Sequence, residues 1–157
     1  EVASRPGGEG LRNCFACGSC SAACPVLPHV AGFDPRRLIR LVLLGQREEV
    51  LTHPLIWFCS TCYSCHEVCP QKVSFTEIGF VLRNMATEEG YFPPAFLAQI
   101  DLLQSHGRLY EIGEFENGKR AKMGLPEIAE APADFQTLLT KLAGMLKPGP
   151  TADQEGE

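Results

Sequence analysis

Apolar residues along this chain recur at helical rather than alternating spacing. Phe75, Ile78, Leu82 and Met85 stand three or four positions apart, which puts them on one face of a helix. They overlap Ser74-Phe75-Thr76-Glu77, a run with the form of a capping box, so the helix is predicted to begin there and to last until Gly90. Upstream, Asp34 and Pro35 have the character of an N-cap and a first helical residue, opening a segment that reaches about Leu44 and stops at Gly45. The end of that segment, Leu41 to Leu44, is apolar on every side, which predicts burial.

Downstream, Pro93-Pro94 open another helix, with Phe96, Leu97, Ile100 and Leu103 on one face and Gly107 as its C-terminal cap. Glu114 to Lys122 is charged throughout and reads as a loop or short helix. A last amphipathic helix is predicted from Asp134 to Lys147, with Phe135, Leu138, Leu139, Leu142 and Leu146 on one face. Pro148 to Glu157 is rich in Pro, Gly and acidic residues and is expected to be a disordered tail. No strand pattern of period two survives, so the predicted fold class is all-α.

Composition narrows the function. The 157 residues are 45% hydrophobic and 21% charged, ordinary values for a globular chain. A net charge of -5 and a pI near 5.4 leave no basic surplus for phosphate, so no nucleic acid partner is expected. The run Leu38 to Leu44 is too short and interrupted for a transmembrane segment, and the polar stretch Glu1 to Asn13 does not resemble a secretory signal. All eight cysteines lie between Cys14 and Cys69. A disulfide framework would therefore leave more than half of the chain unstapled. We expect a reducing, cytoplasmic setting in which clustered cysteines bind metal.

The cysteines form an internal repeat at an offset of about 45 residues. The first copy is Cys14-Phe15-Ala16-Cys17-Gly18-Ser19-Cys20-Ser21-Ala22-Ala23-Cys24-Pro25, and the second is Cys59-Ser60-Thr61-Cys62-Tyr63-Ser64-Cys65-His66-Glu67-Val68-Cys69-Pro70. Both read C-x2-C-x2-C-x3-C-P, and the Asp34 helix is expected to be buried between them. Three thiolates at x2 spacing wrap one face of a four-iron cube within a single loop. In two-cluster ferredoxins carrying this run, the fourth cysteine ligates the other cluster. Applied here, Cys14, Cys17, Cys20 and Cys69 would hold cluster 1, and Cys59, Cys62, Cys65 and Cys24 cluster 2.

Structural zinc uses separated C-x2-4-C pairs and accounts for only half of each motif. Gly18 is expected to let the backbone approach the cluster, or to be an ordinary turn glycine. Pro25 and Pro70 would shape the exit from each ligand loop. Phe15, Trp57, Phe58 and Tyr63 could shield a cluster or simply pack in the core, and His66 is read as a bystander beside Cys65.

The paired runs and the helical insert between them resemble the α-helical ferredoxin domains, and most closely the C subunit of heterodisulfide reductase. The likeness extends into Ile56-Trp57-Phe58-Cys59, Leu82-Arg83, Gly107-Arg108-Leu109-Tyr110-Glu111 and Met123-Gly124-Leu125-Pro126. This resemblance implies an electron-transfer subunit with two [4Fe-4S] clusters. It would sit between the A-type heterodisulfide reductase subunit, which contains flavin and iron-sulfur centres, and the disulfide-reducing B-type subunit with its Cys-Cys-Gly motifs. This chain has no Cys-Cys pair, no G-x-G-x-x-G loop and no Walker loop, so no catalytic residue is expected. Similar domains serve lactate- and glycolate-oxidising complexes and fumarate reductase, which supply the alternative, together with a diffusible ferredoxin carrier. Residues 1–90 are expected to form the helical ferredoxin domain, 91–147 a helical extension and 148–157 the tail.

Overall fold

A computed structural model describes residues 1–128 and 133–143. The described residues are helical or irregular and include no strand, so the chain is all-α. It divides into two compact units, one of residues 1–92 and one beginning at Pro93.

The first unit is organised by its longest helix. Its α-helices are α1 (Ser19–Ala22), α2 (Pro35–Leu43), α3 (Arg47–Leu51), α4 (Ser64–Glu67) and α5 (Phe75–Glu88), with 3-10 turns at Val2–Ser4, Glu9–Asn13 and Pro54–Phe58. The apolar face predicted for α5 is the core: Phe75, Ile78, Val81, Leu82, Met85 and Ala86 are all buried. Around it close Leu38 and Ile39 of α2, Val50 and Leu51 of α3, and Ile56 of the third 3-10 turn. The rings of Phe33 and Phe75 meet edge to face at 6.1 Å.

Both predicted caps form, the second with a change of partner. Asp34 Oδ1 accepts the Arg37 N–H at 3.2 Å, and Ser74 Oγ accepts the Glu77 N–H at 3.4 Å. Glu77 does not complete a box, because its carboxylate accepts the Tyr63 hydroxyl at 2.6 Å. The far end of α2 departs from expectation more clearly. Leu41 and Val42 are half-buried, while Leu43 and Leu44 are exposed. The chain reverses at Gly45, with φ of 74°, into α3, a helix the periodicity did not reveal. Val50 and Leu51 from α3 take the core positions that the end of α2 would have filled.

The N-terminal stretch is packed rather than loose. Val2 and Leu11 are buried, Arg5 makes two bonds of 2.8 Å to the Glu88 carboxylate, and Arg47 joins Glu1 to Glu89.

The second unit holds α6 (Pro94–His106), α7 (Glu114–Lys122) and α8 (Ala133–Ala143), with α6 packed against α8. Gly107 ends α6 at φ of 67°, as its position predicts. On α6, Leu97, Ile100 and Leu103 are half-buried and Phe96 is more exposed. The charged stretch Glu114–Lys122 is a helix, started by the Glu116 carboxylate accepting the Gly113 N–H at 3.0 Å. Asn117 accepts the Ile128 N–H at 3.0 Å and donates to its carbonyl at 3.3 Å, tying the following segment back to α7. The predicted contributions of Leu142 and Leu146 to the last helix, its end at Lys147, and the tail 148–157 lie outside the described residues and side chains.

Candidate metal centre

The sequence repeat is also a backbone repeat. Cys14 and Cys59 each follow a 3-10 turn and take nearly the same extended conformation, φ and ψ of -70° and 117° for one and -61° and 120° for the other. The next two turns are left-handed in both loops, at Ala16 and Gly18 in the first and at Thr61 and Tyr63 in the second. Four-residue helices follow, α1 carrying Cys20 and α4 carrying Cys65. Left-handed backbone at Ala16, Thr61 and Tyr63 costs about 1 kcal/mol each. Turns of this kind are where successive backbone N–H groups form concavities suited to anionic groups such as iron-sulfur clusters.

Two small hollows result. The first is lined by Cys14, Cys17, Cys20 and Cys69, with Phe15, Ser19, Arg36, Ile39 and Val73 among their neighbours. The second is lined by Cys24, Cys59, Cys62 and Cys65, with Val26, Phe33, Pro35, Phe75 and Thr76 beside them. Each hollow thus gathers three cysteines of one run and the last cysteine of the other.

Among the described residues no three Cys, His, Asp or Glu side chains converge on the single point that one metal ion would need. Four thiol groups spread around a largely apolar hollow suit a cube that takes one thiolate at each corner. Metal ligation requires the thiolate, and the more exposed thiols are prepared for it. The Ser19 hydroxyl lies 3.4 Å from Cys17 Sγ and holds that thiol below its ordinary pKa, and Ser64 does the same for Cys62 at 3.4 Å. Burial pushes the Cys20 thiol up. Two further polar groups reach ligand sulfurs: the Val73 N–H donates to Cys69 Sγ at 3.3 Å, and the Thr76 hydroxyl lies 3.4 Å from Cys65 Sγ.

Comparison with known proteins bears on the same residues. Residues 10–73 match the family model of the 4Fe-4S dicluster domain. The C subunit of the H(2):CoB-CoM heterodisulfide,ferredoxin reductase of Methanothermobacter thermautotrophicus is 31% identical over 141 residues, covering 90% of this chain and 76% of that protein. The C subunit of the ferredoxin:CoB-CoM heterodisulfide reductase of Methanosarcina mazei is 31% identical over 140 residues, 89% of this chain and 86% of its own. The chain belongs to the family of heterodisulfide reductase C subunits. A protein of Archaeoglobus profundus that is named for its likeness to the same C subunit is similar at 32% over 149 residues, with 94% of this chain and 77% of that protein covered.

As a family member, the chain is an iron-sulfur electron-transfer subunit of a multisubunit oxidoreductase, and its dicluster domain with eight cysteines carries two [4Fe-4S] clusters. Among the described residues no helix is long and apolar enough to cross a membrane.

Other residues singled out from the sequence have plainer roles in this C subunit. Phe15 lines the first hollow but is 60% exposed. Trp57, Phe58 and Tyr63 line neither hollow, and Trp57 packs against the core. His66 also lines neither, and its Nδ1 is buried without a hydrogen-bond partner. At Gly18 a Cβ would find ordinary contact distances, 3.7 Å to Arg36, so the need for glycine there is set by φ of 88°. Sequence reasoning missed Arg36, Thr76 and the Ser19/Ser64 pair. The pair was visible as a serine two places after the second cysteine in both copies.

Proposed function

We propose that this chain passes single electrons between the A-type subunit, with its flavin and iron-sulfur centres, and the disulfide-reducing B-type subunit of a heterodisulfide reductase-like complex. Cys14, Cys17, Cys20 and Cys69 would hold one cluster, and Cys59, Cys62, Cys65 and Cys24 the other. The bound clusters supply one-electron oxidation and reduction. The observation that carries this reading is that each hollow draws cysteines from both runs, which ties the two halves of the site into one unit. The chain's own contribution is fourfold thiolate ligation, apolar walls from Ile39 and Val73 on one side and Phe33 and Phe75 on the other that restrict water, hydroxyl contacts to Cys17, Cys62 and Cys65 and the Val73 N–H donated to Cys69 Sγ. Nothing in the sequence offers a substrate-reducing group, since it lacks a Cys-Cys pair.

The disulfide acted on by the complex is read as a heterodisulfide of the CoB-CoM type for which relatives are named. Residues 1–90 serve as the electron-carrying domain and 91–147 as a docking extension, in the cytoplasm, where thiols stay reduced. The test is reconstitution of the native complex with and without this chain. Without it, flavin reduction in the A-type subunit should persist while disulfide reduction in the B-type subunit ceases. Undiminished disulfide reduction by those two subunits alone would refute the assignment.

A further inference from the structure

The helix that follows the first ligand run has an outer face that the first unit does not use. On α2, Leu38 and Ile39 are buried and Leu41 and Val42 half-buried, while Arg36, Arg37, Arg40, Leu43 and Leu44 are exposed. Positions 36, 40, 43 and 44 follow at helical spacing, and 37 joins 40 and 44, so the five share one continuous face. Three arginines lead it, and two leucines, 39% and 59% exposed, end it.

These arginines are not taken up within the fold. Elsewhere in the first unit Arg5 is held by Glu88, Arg47 by Glu1 and Glu89, and the half-buried Arg83 by the Cys59 carbonyl at 3.5 Å. Among the described residues the side chains of Arg36, Arg37 and Arg40 make no hydrogen bond or ion pair. Asp34, the N-cap of the helix, accepts from Ser21 and from the Arg37 N–H, and Glu48 and Glu49 of α3 form no ion pair with the three. Arg36 has local reasons for its place, being near Asp34 and lining the first hollow. Arg37 and Arg40 line neither hollow. Arg37 also stands in a first turn that holds no acidic residue, where the helix dipole disfavours a cation. Helix stability therefore does not account for it.

The face adjoins the metal centre. A Cβ on Gly18 would stand 3.7 Å from Arg36 Cδ and Nη1, so Arg36 lies over the first ligand loop, whose Cys17 is exposed. Whatever covers the face is brought beside a cluster ligand, which is where a redox partner must come. Three arginines on a chain of net charge -5 call for carboxylates opposite. Two exposed leucines on a nine-residue helix are a small apolar face for holding a membrane surface, and suit the dry centre of a protein interface.

We propose that the outer face of α2 docks a carboxylate-bearing protein surface on the redox subunit that exchanges electrons with the cluster of Cys14, Cys17, Cys20 and Cys69. Arg37 and Arg40 pair with that subunit's acidic groups, and Leu43 and Leu44 are buried against it. The inference rests on the relay proposed above.

The test is association of the full chain, purified anaerobically with both clusters loaded, with each of the separately purified A-type and B-type subunits. One of the two should bind a double variant, Arg37→Glu with Arg40→Glu, about tenfold or more weakly, and the other should bind it unchanged. Arg37→Lys with Arg40→Lys should recover most of that loss, and Leu44→Ser should weaken the same subunit alone. Added salt should weaken the unmodified pair more than the variant pair. Iron content and helical circular dichroism should stay as they are, because Arg37→Glu places an acid where the helix dipole favours one and Leu44 already faces water. Unchanged affinity of the double variant for both subunits would overturn the inference and leave the relay standing, whether the arginines then prove to hold phosphatidylserine vesicles or a second copy of this chain. If neither subunit binds the unmodified chain, the relay falls with it.

Discussion

A cysteine at the end of one ligand run lies in the hollow formed by the other run, so its loss should be felt at a distance in sequence. Cys69 lines the hollow of Cys14, Cys17 and Cys20. Cys69→Ala is therefore expected to alter the resonance signal and stability of that cluster and to spare the one at Cys59, Cys62 and Cys65, with Cys24→Ala doing the reverse. Selective damage to the cluster of its own run would show that each motif keeps its fourth ligand. Backbone conformation makes a second residue-scale prediction. Gly18 sits at φ of 88° with room for a methyl group, so Gly18→Ala should cost about 1–2 kcal/mol by strain alone. Tyr63 occupies the matching left-handed position at φ of 61°, and Tyr63→Gly should relieve strain there while losing the bond to Glu77. Chemical denaturation of the loaded protein reads both. The ligand cysteines were legible from spacing, because a cluster fixes the number and order of its thiolates. Arg36 was not, because nothing in a local pattern says which side chain a folded helix will lay over a loop.

Among the elements, α5 carries the first unit: residues from α2, α3 and the 3-10 turns close around its buried face. Ile78, 1% exposed at the middle of that face, should cost about 2–5 kcal/mol when cut to alanine, measured by denaturant unfolding of the loaded chain. The helix was readable because its caps and its apolar period agree over fourteen residues. By contrast α3 has five residues and only two buried side chains, too few for a period to register, and without it the apolar end of α2 looks like core. The N-terminal contacts were equally illegible, since ion pairs across more than forty positions leave no local trace. They do predict a pH effect. A hydrogen bond from Arg47 holds the Glu1 carboxyl below its ordinary pKa, and one from Arg5 does so for Glu88. Groups lowered on folding contribute fully above their ordinary pKa and lose that contribution as pH falls through the folded value. The protection of the Ser4 and Arg5 amides, taken relative to the intrinsic exchange rate at each pH, should accordingly fall in acid below the usual glutamate range, before that of α5 changes.

For the whole molecule, the question is why an electron-transfer chain carries a second unit when the residues described as lining both hollows all belong to the first. Both cysteine runs and the helices that follow them lie within residues 1–92. The second unit has no fully buried residue among those described on α6 and α7. On α8, Leu138 is 54% exposed and Phe135 36%, whereas Leu139 is half-buried on a helix that packs against α6. Apolar side chains left this open on one member of a larger complex are suited to a partner surface, where burial of such groups supplies most of the association energy. Leu138→Glu should therefore weaken copurification of the other subunits while the chain still binds about eight iron and eight sulfide. Leu139→Glu should instead disturb the packing of the second unit, visible as a loss of helical circular dichroism. The contrast separates docking from folding: assembly unchanged by Leu138→Glu would remove α8 from the interface, and loss of iron in that variant would mean that the second unit supports the metal centre after all.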